Sequence, residues 1–248
     1  MDLNADLAEG TGPQGWAADA ALLEVVSSAN IACAGHAGDE ETMRRACEAA
    51  LERGVRIGAH PGYEDRETFG RVELSLPVDE VVRQVSEQIA LLIEIAAGSG
   101  GAVTHVKPHG ALYHRASADA DLAAALADEF ARAQPKMVVL GLDGSELLTA
   151  AAAAGLATAS EGFADRAYDS EGLLVSRSLP GSVLDAAGAV AQALSIASDT
   201  TVTNTDGTEV KVVADSICIH GDTPGALALA RELRAALAAS GVSVEAFV

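Results

Sequence analysis

The chain is poor in cysteine, in basic residues, in aromatic residues and in long apolar runs. Only three cysteines occur among its 248 residues and none has CxxC spacing, which argues against a disulfide framework or a structural zinc site and fits a reducing compartment. Lys and Arg number 16 against 36 Asp and Glu, so the net charge of −20 disfavours binding to nucleic acid or to an anionic membrane surface. The most apolar helical stretch is interrupted by Glu94 and is far too short to span a membrane.

Two common signatures of enzyme chemistry are missing as well. The chain has no GxxxxGK[ST] phosphate loop and no GxSxG nucleophile elbow.

Its first residues, MDLNAD, are acidic and continue into a predicted strand, so we expect no signal peptide and a cytoplasmic protein.

Short strand-like segments alternate with longer helix-like segments, and no linker or change in composition divides the chain. This pattern predicts right-handed βαβ units and a parallel sheet, in one α/β domain over residues 1–248. The segment 200–213 predicts a hairpin inserted before the last strand. The predicted strands are 2–7, 29–33, 56–59, 103–107, 137–141, 157–161 and 216–220. The predicted helices are 18–27, 39–53, 79–97, 119–133, 144–154, 185–197 and 224–239.

Unusual polar residues follow the ends of these strands. Because the carboxyl ends of parallel strands share one face of the fold, we expect a functional site there, with five of the six histidines and without His114. The residues are Asn4, Asp6 and Glu9 at the first strand, Asn30 and His36 at the second, His60 at the third, His105, Lys107 and His109 at the fourth, Asp165 and Arg166 at the sixth, and His220 and Asp222 at the last.

Strand parity sharpens this expectation at the fourth strand. Successive side chains alternate in direction, so His105, Lys107 and His109 project to one side if the strand continues that far. A lysine between two histidines offers donors to a carboxylate or a phosphate, anions that so acidic a chain otherwise repels. The alternative is that His105 is a hydrogen-bonded core histidine and that Lys107 pairs with a neighbouring acid.

Asp6, His36 and His60 form a candidate metal site. If they end three adjacent strands about 4.8 Å apart, one carboxylate and two imidazoles meet at a point that suits Zn, Mn or Fe. The alternative is that these residues bind substrate or one another, with Asp6 orienting a histidine. No local signature such as HExxH decides between the two hypotheses.

A series of longer motifs runs in order over nearly the whole chain and resembles the LamB/YcsF family. Small departures leave every ionisable group in place; among them, Ala8 and Ala34 stand where the family usually has glycine. The motifs are DLNADLAE at 2–9, ANIAC at 29–33, HAGD at 36–39, IGAHPGY at 57–63, FGR at 69–71, HVKPHGALY at 105–113, FADRAY at 163–168, RS at 177–178, PG at 180–181 and ICIHGDTP at 217–224.

The resemblance implies a fold and an activity. The implied fold is an irregular seven-stranded parallel β/α barrel, TIM-like and of the carbohydrate-deacetylase type. The implied activity is that of a 5-oxoprolinase, a hydrolase acting on a cyclic amide, which opens 5-oxo-L-proline to L-glutamate with ATP and Mg²⁺. Two partner proteins, 5-oxoprolinase subunits B and C, are implied with it.

The same resemblance suggests roles for the candidate residues. Under this hypothesis Lys107 and His109 bind the transferring phosphate or the developing oxyanion, and Arg166 or Arg177 clamps the substrate carboxylate. Asn4, Asn30 and Asp165 add further substrate contacts. Base, acid or Mg²⁺-binding functions then belong to Asp6, Glu9, His60, His220 and Asp222.

Two other functions remain open from the sequence. A stand-alone divalent-metal deacetylase or amidase would use Asp6, His36 and His60 to activate water without ATP. A non-catalytic subunit would bind 5-oxoproline and dock its partners. Carboxylates among the bases at the strand ends disfavour pure binding, because the capture of an anion does not need them.

Overall fold

The computed structural model describes residues 1–177, 179–220 and 225–248. Within these ranges the chain forms nine strands and eight helices. The strands are β1 (Asp2–Leu7), β2 (Ser28–Ala32), β3 (Arg56–His60), β4 (Val103–Val106), β5 (Val138–Gly141), β6 (Thr158–Phe163), β7 (Thr201–Thr203), β8 (Glu209–Lys211) and β9 (Ser216–Ile219). The helices are α1 (Gly12–Leu22), α2 (Glu40–Arg53), α3 (Val78–Gly98), α4 (Gly110–Ala118), α5 (Ala120–Ala133), α6 (Glu146–Ala153), α7 (Ala186–Asp199) and α8 (Ala226–Ala239).

Seven strands form a closed parallel barrel in the order β1-β2-β3-β4-β5-β6-β9, and β9 pairs with both β6 and β1. This confirms the seven-stranded β/α barrel that the resemblance implies. The ladder between β3 and β4 shifts its register between Ile57 and Gly58, which makes the barrel irregular at that point. β7 and β8 form a separate antiparallel hairpin, as segment 200–213 predicts.

The two faces of the barrel strands carry different side chains. On β1, Leu3 and Leu7 belong to the apolar core, whereas Asp2, Asn4 and Asp6 form hydrogen bonds across the lumen. Strand alternation explains the division, because successive side chains point to opposite faces of the sheet. Other buried polar residues on the strands join those of β1 in the lumen: Ser28, Asn30, His105, Glu161 and Ser216.

Two helices differ from the sequence-based prediction. The sequence predicts the first over 18–27, but α1 begins at Gly12 with Pro13 in its first turn, where the missing N–H of proline costs no helical hydrogen bond. The sequence predicts no helix at 110–118, where α4 begins directly after His109. Pro108 therefore precedes this helix rather than interrupting it, and the alternation of β4 ends before His109.

α2 begins as the sequence predicts, with Asp39 as its cap. The Asp39 side chain accepts a hydrogen bond from the Thr42 backbone N at 2.8 Å, and the Asp39 N–H donates to Thr42 Oγ1 at 2.8 Å. This reciprocal capping satisfies two donors at the start of the helix. It also anchors the loop between β2 and α2, which carries His36.

The C-terminal segment lies at the amino-terminal end of the barrel. The Glu245 N–H donates to the Met1 carbonyl at 3.1 Å, and the Phe247 ring centroid lies 5.2 Å from that of His105. His105 thus lies in the half of the lumen nearer to the amino-terminal ends of the strands, where its Nε2 is 3.0 Å from Asn30 Oδ1. None of the helices in the described ranges has both the length and the apolar character needed to cross a bilayer.

Candidate active site

A cavity of about 530 Å³ opens at the carboxyl ends of the barrel strands. Among the residues that the structure describes, four Lys or Arg side chains and two carboxylates line it, which reverses the charge balance of the whole chain. This local excess of positive charge suits an anionic ligand that the rest of the surface repels. The charged lining residues are Asp6, Glu9, Arg71, Lys107, Arg166 and Arg177, and the lining histidines are His60, His109, His114 and His220.

Lys107 lies on the floor of this cavity and is only 3% exposed. Its Nζ is 2.8 Å from Glu161 Oε1, 3.1 Å from Asp6 Oδ1 and 3.1 Å from Cys218 Sγ. Burial alone would lower the pKa of Lys107, but its negative neighbours, with Asp6 foremost, hold that pKa well above its usual value. Lys107 therefore pairs with acids and presents a fixed ammonium group to the cavity.

Asp6 connects this floor to the histidines above it. Asp6 Oδ1 accepts a hydrogen bond from Asn30 Nδ2 at 2.8 Å, and Asp6 Oδ2 lies 3.4 Å from His60 Nε2. Although burial raises the pKa of Asp6, the charges of His60 and Lys107 lower it well below its usual value. Burial likewise lowers the pKa of His60, but Asp6 outweighs that effect and raises it.

Asn4 and Asn30 lie beneath this floor and neither lines the cavity. Asn4 Nδ2 donates to Glu161 Oε1 at 3.0 Å and to Ser216 Oγ at 2.6 Å, and Asn4 Oδ1 accepts from Asn30 Nδ2 at 2.7 Å. Their amide groups are thus committed to other lumen side chains. This placement favours support of Asp6 and Lys107 over the direct substrate contact that the sequence suggested.

One carboxylate and three imidazoles meet above Asp6. We call this group, formed by Glu9, His36, His60 and His109, the Glu–His cluster; its ligand atoms all lie within 4.8 Å of one another. Glu9 Oε1 is 3.1 Å from His36 Nε2 and 3.3 Å from His109 Nδ1, and His109 Nδ1 is 3.0 Å from His60 Nε2. The rings of His36 and His109 stack with centroids 3.6 Å apart. Such a donor set can hold a divalent metal ion.

Burial keeps two of these imidazoles neutral. It lowers the pKa of His36 to about 3 and, with the charge of His60 beside it, the pKa of His109 well below its usual value. His60 is the opposite case because it faces Asp6. The cluster therefore combines neutral imidazoles with one that Asp6 keeps readily protonated.

The residues predicted to hold a metal, Asp6, His36 and His60, are divided between two groups. His36 and His60 lie in the Glu–His cluster, where Glu9 rather than Asp6 supplies the carboxylate. Asp6 instead groups with Cys218 and His220. Lys107 Nζ lies 3.1 Å from Asp6 and from Cys218, and so occupies the place that a metal ion would take in that second group.

His220 and Asp165 form a second acid–base pair at the cavity wall. His220 Nδ1 lies 2.9 Å and 3.2 Å from the two carboxylate oxygens of Asp165. The pKa of Asp165 is raised by burial but lowered more by His220, so its net shift is downward. Asp165, predicted to contact substrate, is thus placed to orient the imidazole, and His220 lines the cavity. Asp222, also predicted to be catalytic, lies outside the described residues.

The two predicted arginines differ in their surroundings. Arg166 is 4% exposed, and its guanidinium donates to the carbonyls of Val175 at 2.6 Å and Ser182 at 3.3 Å. Burial and the charge of Arg177 lower the pKa of Arg166 to about 10. Arg166 therefore braces the loop after β6, whereas Arg177 and Arg71 line the cavity nearer to solvent.

Backbone strain is concentrated around the Glu–His cluster. Among the described residues, four that are not glycine have positive φ angles, and three of them lie near the cluster: Ala8 (φ 60°), Ala34 (φ 67°) and Phe69 (φ 58°). The fourth, Thr200 (φ 56°), ends α7. Ala8 directly precedes Glu9, and the Phe69 carbonyl lies 2.9 Å from His109 Nε2. Each such conformation costs roughly 1–2 kcal/mol for a residue with a Cβ. Ala8 and Ala34 are two positions at which the resemblance leads us to expect glycine, and this chain holds both turns under strain.

Sequence reasoning did not select three residues that belong to this site. Glu161 is buried beside Lys107; an acid inside a predicted strand was the available signal. Arg71 lay in a motif but received no role, and it lines the cavity. His114, which the sequence did not select for the site, also lines the cavity from the unpredicted helix α4.

Comparison with known proteins agrees with this geometry. The family model described as LamB/YcsF family matches residues 1–248. The chain belongs to the LamB/YcsF family. It is 51% identical over 248 residues to the A subunit of 5-oxoprolinase from Nocardia farcinica, covering 100% of this chain and 99% of that protein. It is 47% identical to the A subunit of 5-oxoprolinase from Methylococcus capsulatus, over 99% of this chain and 95% of that protein.

A solved structure supports the family at the level of the fold. The crystal structure of the lactam utilization protein from Thermus thermophilus has a TM-score of 0.92 and 40% sequence identity, covering 100% of this chain and 99% of that one. A putative cellobiose-phosphate cleavage protein of Enterococcus faecalis, at 16% identity and a TM-score of 0.57, shows the fold alone. The family's motifs thus coincide with the residues that line the cavity.

Proposed function

We propose that this chain is the A subunit of an ATP-dependent 5-oxoprolinase that opens the lactam of 5-oxo-L-proline to L-glutamate in the cytoplasm. It acts with two partner subunits, B and C, and with ATP and Mg²⁺ as co-substrate. The observation that carries this proposal is the cationic cavity of an otherwise acidic chain. The names of its relatives, which refer to 5-oxoprolinase and to lactam utilization, support the same activity.

The reaction needs two anions held close together, the substrate carboxylate and the phosphates of ATP. A five-membered lactam is a resonance-stabilised amide, so transfer of a phosphoryl group to its oxygen, with release of ADP, makes the carbonyl carbon susceptible to water. Lys107 is a fixed cation on the cavity floor, and Arg71 and Arg177 line the cavity above it. Donors already in place stabilise developing negative charge without reorganisation.

His220 is the general base in this proposal. Asp165 accepts the Nδ1–H of His220, which leaves Nε2 free of its proton and able to take one from water. Water adds to the carbonyl carbon, and the C–N bond breaks as the ring nitrogen takes up a proton. A second water molecule then hydrolyses the resulting acyl phosphate to the carboxylate of glutamate and free phosphate.

Substitution of the base pair tests this role. Asp165→Asn keeps the shape of the side chain but removes the charge that orients His220, and we expect kcat to fall by about 100-fold or more. We expect KM for 5-oxoproline to change much less, because the cationic lining remains. The matched control is Asp128→Asn, an exposed carboxylate on α5, which should keep wild-type kinetics. Wild-type kcat in Asp165→Asn would remove this base from the proposal.

The full proposal is tested by measuring ATP hydrolysis and glutamate release with and without the two partner subunits. We expect coupled turnover only when all three proteins are present. Turnover of an amide by this chain alone, without nucleotide and abolished by chelators, would replace the proposal with the metal-hydrolase alternative. Binding of 5-oxoproline combined with full tolerance of His220→Ala would support a carrier function instead.

A further inference from the structure

The Glu–His cluster has a geometry that the proposed lactam chemistry does not require. Its four side chains come from four separate segments, after β1, after β2, at the end of β3 and after β4, and converge on one small volume. The side chains of His36, His60 and His109 are at most 6% exposed and that of Glu9 is 9% exposed. Four buried side chains that can bind a metal ion and that converge on one small volume indicate a ligand.

Two hydrogen bonds fix which ring nitrogens face the centre of the cluster. His60 Nδ1 lies 2.8 Å from the Lys107 carbonyl and His109 Nε2 lies 2.9 Å from the Phe69 carbonyl, so both of these nitrogens carry the proton and donate it. In the neutral rings the other nitrogens, His60 Nε2 and His109 Nδ1, then have lone pairs that face each other at 3.0 Å. A histidine whose second N–H donates to a backbone carbonyl is the usual arrangement of a metal ligand.

A positive charge between these atoms makes the arrangement favourable, and Asp6 Oδ2, which lies 3.4 Å from His60 Nε2, favours such a charge as well. A proton on His60 would satisfy the contact between His60 and His109, since Nε2–H could then donate to His109 Nδ1. That proton would not improve the contact between His109 Nδ1 and Glu9 Oε1, which lie 3.3 Å apart and would still repel each other because both atoms carry lone pairs. A cation at the centre attracts all four groups at once.

The spacing of the donor atoms fits such a cation. With metal–nitrogen and metal–oxygen bonds of about 2.0–2.1 Å, the donor atoms of a tetrahedral site lie about 3.3–3.4 Å apart. The contacts in the cluster are 3.0 Å, 3.1 Å and 3.3 Å. All four donor atoms lie within 4.8 Å of one another, so small movements of these side chains would complete the site.

We propose that Glu9, His36, His60 and His109 form a binding site for a divalent transition-metal ion of the zinc type. Three imidazoles and one carboxylate favour Zn²⁺, Co²⁺ or Mn²⁺ over Mg²⁺ and Ca²⁺, which prefer ligand sets made of oxygen. The site is separate from the Mg²⁺ that accompanies ATP. The inference concerns the binding of an ion alone, so its test does not depend on the 5-oxoprolinase activity.

Metal binding to the purified full-length chain tests this inference. After treatment with EDTA and dialysis, titration with Zn²⁺ by calorimetry, together with elemental analysis, should show one ion per chain. His36→Ala and His109→Ala should each weaken Zn²⁺ binding by more than about 100-fold, because loss of a direct ligand exceeds the 10–100-fold cost of losing a supporting contact. The matched control, His114→Ala, removes an imidazole of the same cavity outside the cluster and should leave the affinity unchanged.

Two further measurements keep the outcome decisive. If an alanine variant fails to fold, Glu9→Gln keeps the side-chain shape and should still weaken binding of Zn²⁺. Cys218→Ser tests the second group, which is formed by Asp6, Cys218 and His220. If the metal binds to the Glu–His cluster, the Co²⁺-loaded chain should also lack the near-ultraviolet absorption of a cobalt–thiolate bond. The inference is overturned if no Zn²⁺ binds, if Mg²⁺ competes equally, or if Cys218→Ser abolishes binding while His36→Ala does not.

Discussion

The outer and inner faces of the barrel strands differ in what they contribute. Outside, apolar residues such as Leu3, Ile57 and Ile217 pack with helix residues such as Leu92 into the hydrophobic core. Inside, ions and amides are connected by hydrogen bonds from Asp2 up to the cavity floor. The lumen of a β/α barrel is more often filled by branched apolar side chains. In this chain the outer faces of the strands therefore form the apolar core, and the lumen holds charges in place.

Removal of the central cation of the lumen should have the largest effect. Lys107→Met leaves Asp6 and Glu161 buried without their partner, and loss of one member of a buried ion pair costs about 3–5 kcal/mol of unfolding free energy. We also expect no measurable 5-oxoprolinase turnover. Chemical denaturation and the three-subunit assay measure the two effects.

The pH dependence of Lys107→Met provides its internal check. In the wild type the pKa of Asp6 lies below its unfolded value, so this group stabilises the fold above that unfolded value and the contribution is lost as pH falls. Without Lys107, His60 is the main charge left to lower the pKa of Asp6, so the stability lost as pH falls should be smaller in the variant than in the wild type. The double variant Lys107→Met/Glu161→Gln should recover part of the loss. An unchanged unfolding free energy would mean that these charges are solvated in solution.

A truncation in the shell should separate stability from activity. Leu92 on α3 is fully buried, and Leu92→Ala should cost about 2–5 kcal/mol by leaving a cavity. Because the lumen is untouched, kcat measured well below the unfolding temperature should stay within about twofold of wild type. A loss of activity comparable with that of Lys107→Met would show that the two faces are not independent.

The smallest effect concerns Asp19, a carboxylate on helix α1. It accepts a hydrogen bond from the Ala8 N–H at 3.1 Å, and burial raises its pKa to about 6. The folded-state pKa lies above the unfolded value, so ionisation destabilises the fold progressively from about pH 4 to above pH 6. Asp19→Asn should therefore match wild type near pH 4 and melt about 2–4 °C higher at pH 7.5, in the presence of EDTA. A melting difference that does not vary with pH would contradict this pKa.

The sequence predicted the barrel strands to within two residues at each end, because their short buried runs lie between well-marked helix starts and stops. It failed where local signals conflicted. The glycines around Pro13 gave no helix signal at the start of α1, and Pro108, which precedes α4, indicated a loop. α4 forms because packing of its buried residues Leu112, Tyr113 and Ala116 outweighs weak local preference. α1 buries only Leu22, and Pro13 in its first turn favours its start.

The predicted site was right in its location and incomplete in its contacts. Strand alternation brings Asp6 and Lys107 to one cavity, as expected. The sequence could not show that Glu9 rather than Asp6 joins His36, because a loop residue has no fixed direction. Nor could it show that Asp165 faces His220, since that contact joins segments 55 residues apart.

Two glycines beside the Glu–His cluster limit how the cavity of this protein can be redesigned. A Cβ at Gly62 would lie 2.9 Å from His36 Nδ1, and one at Gly70, where φ is +64°, would lie 2.9 Å from His36 Cβ and 3.1 Å from His109 Cδ2. Mutagenesis libraries that seek new substrates should leave both positions fixed. Any side chain at these positions would displace the imidazoles of His36 and His109 and so disrupt the Glu–His cluster.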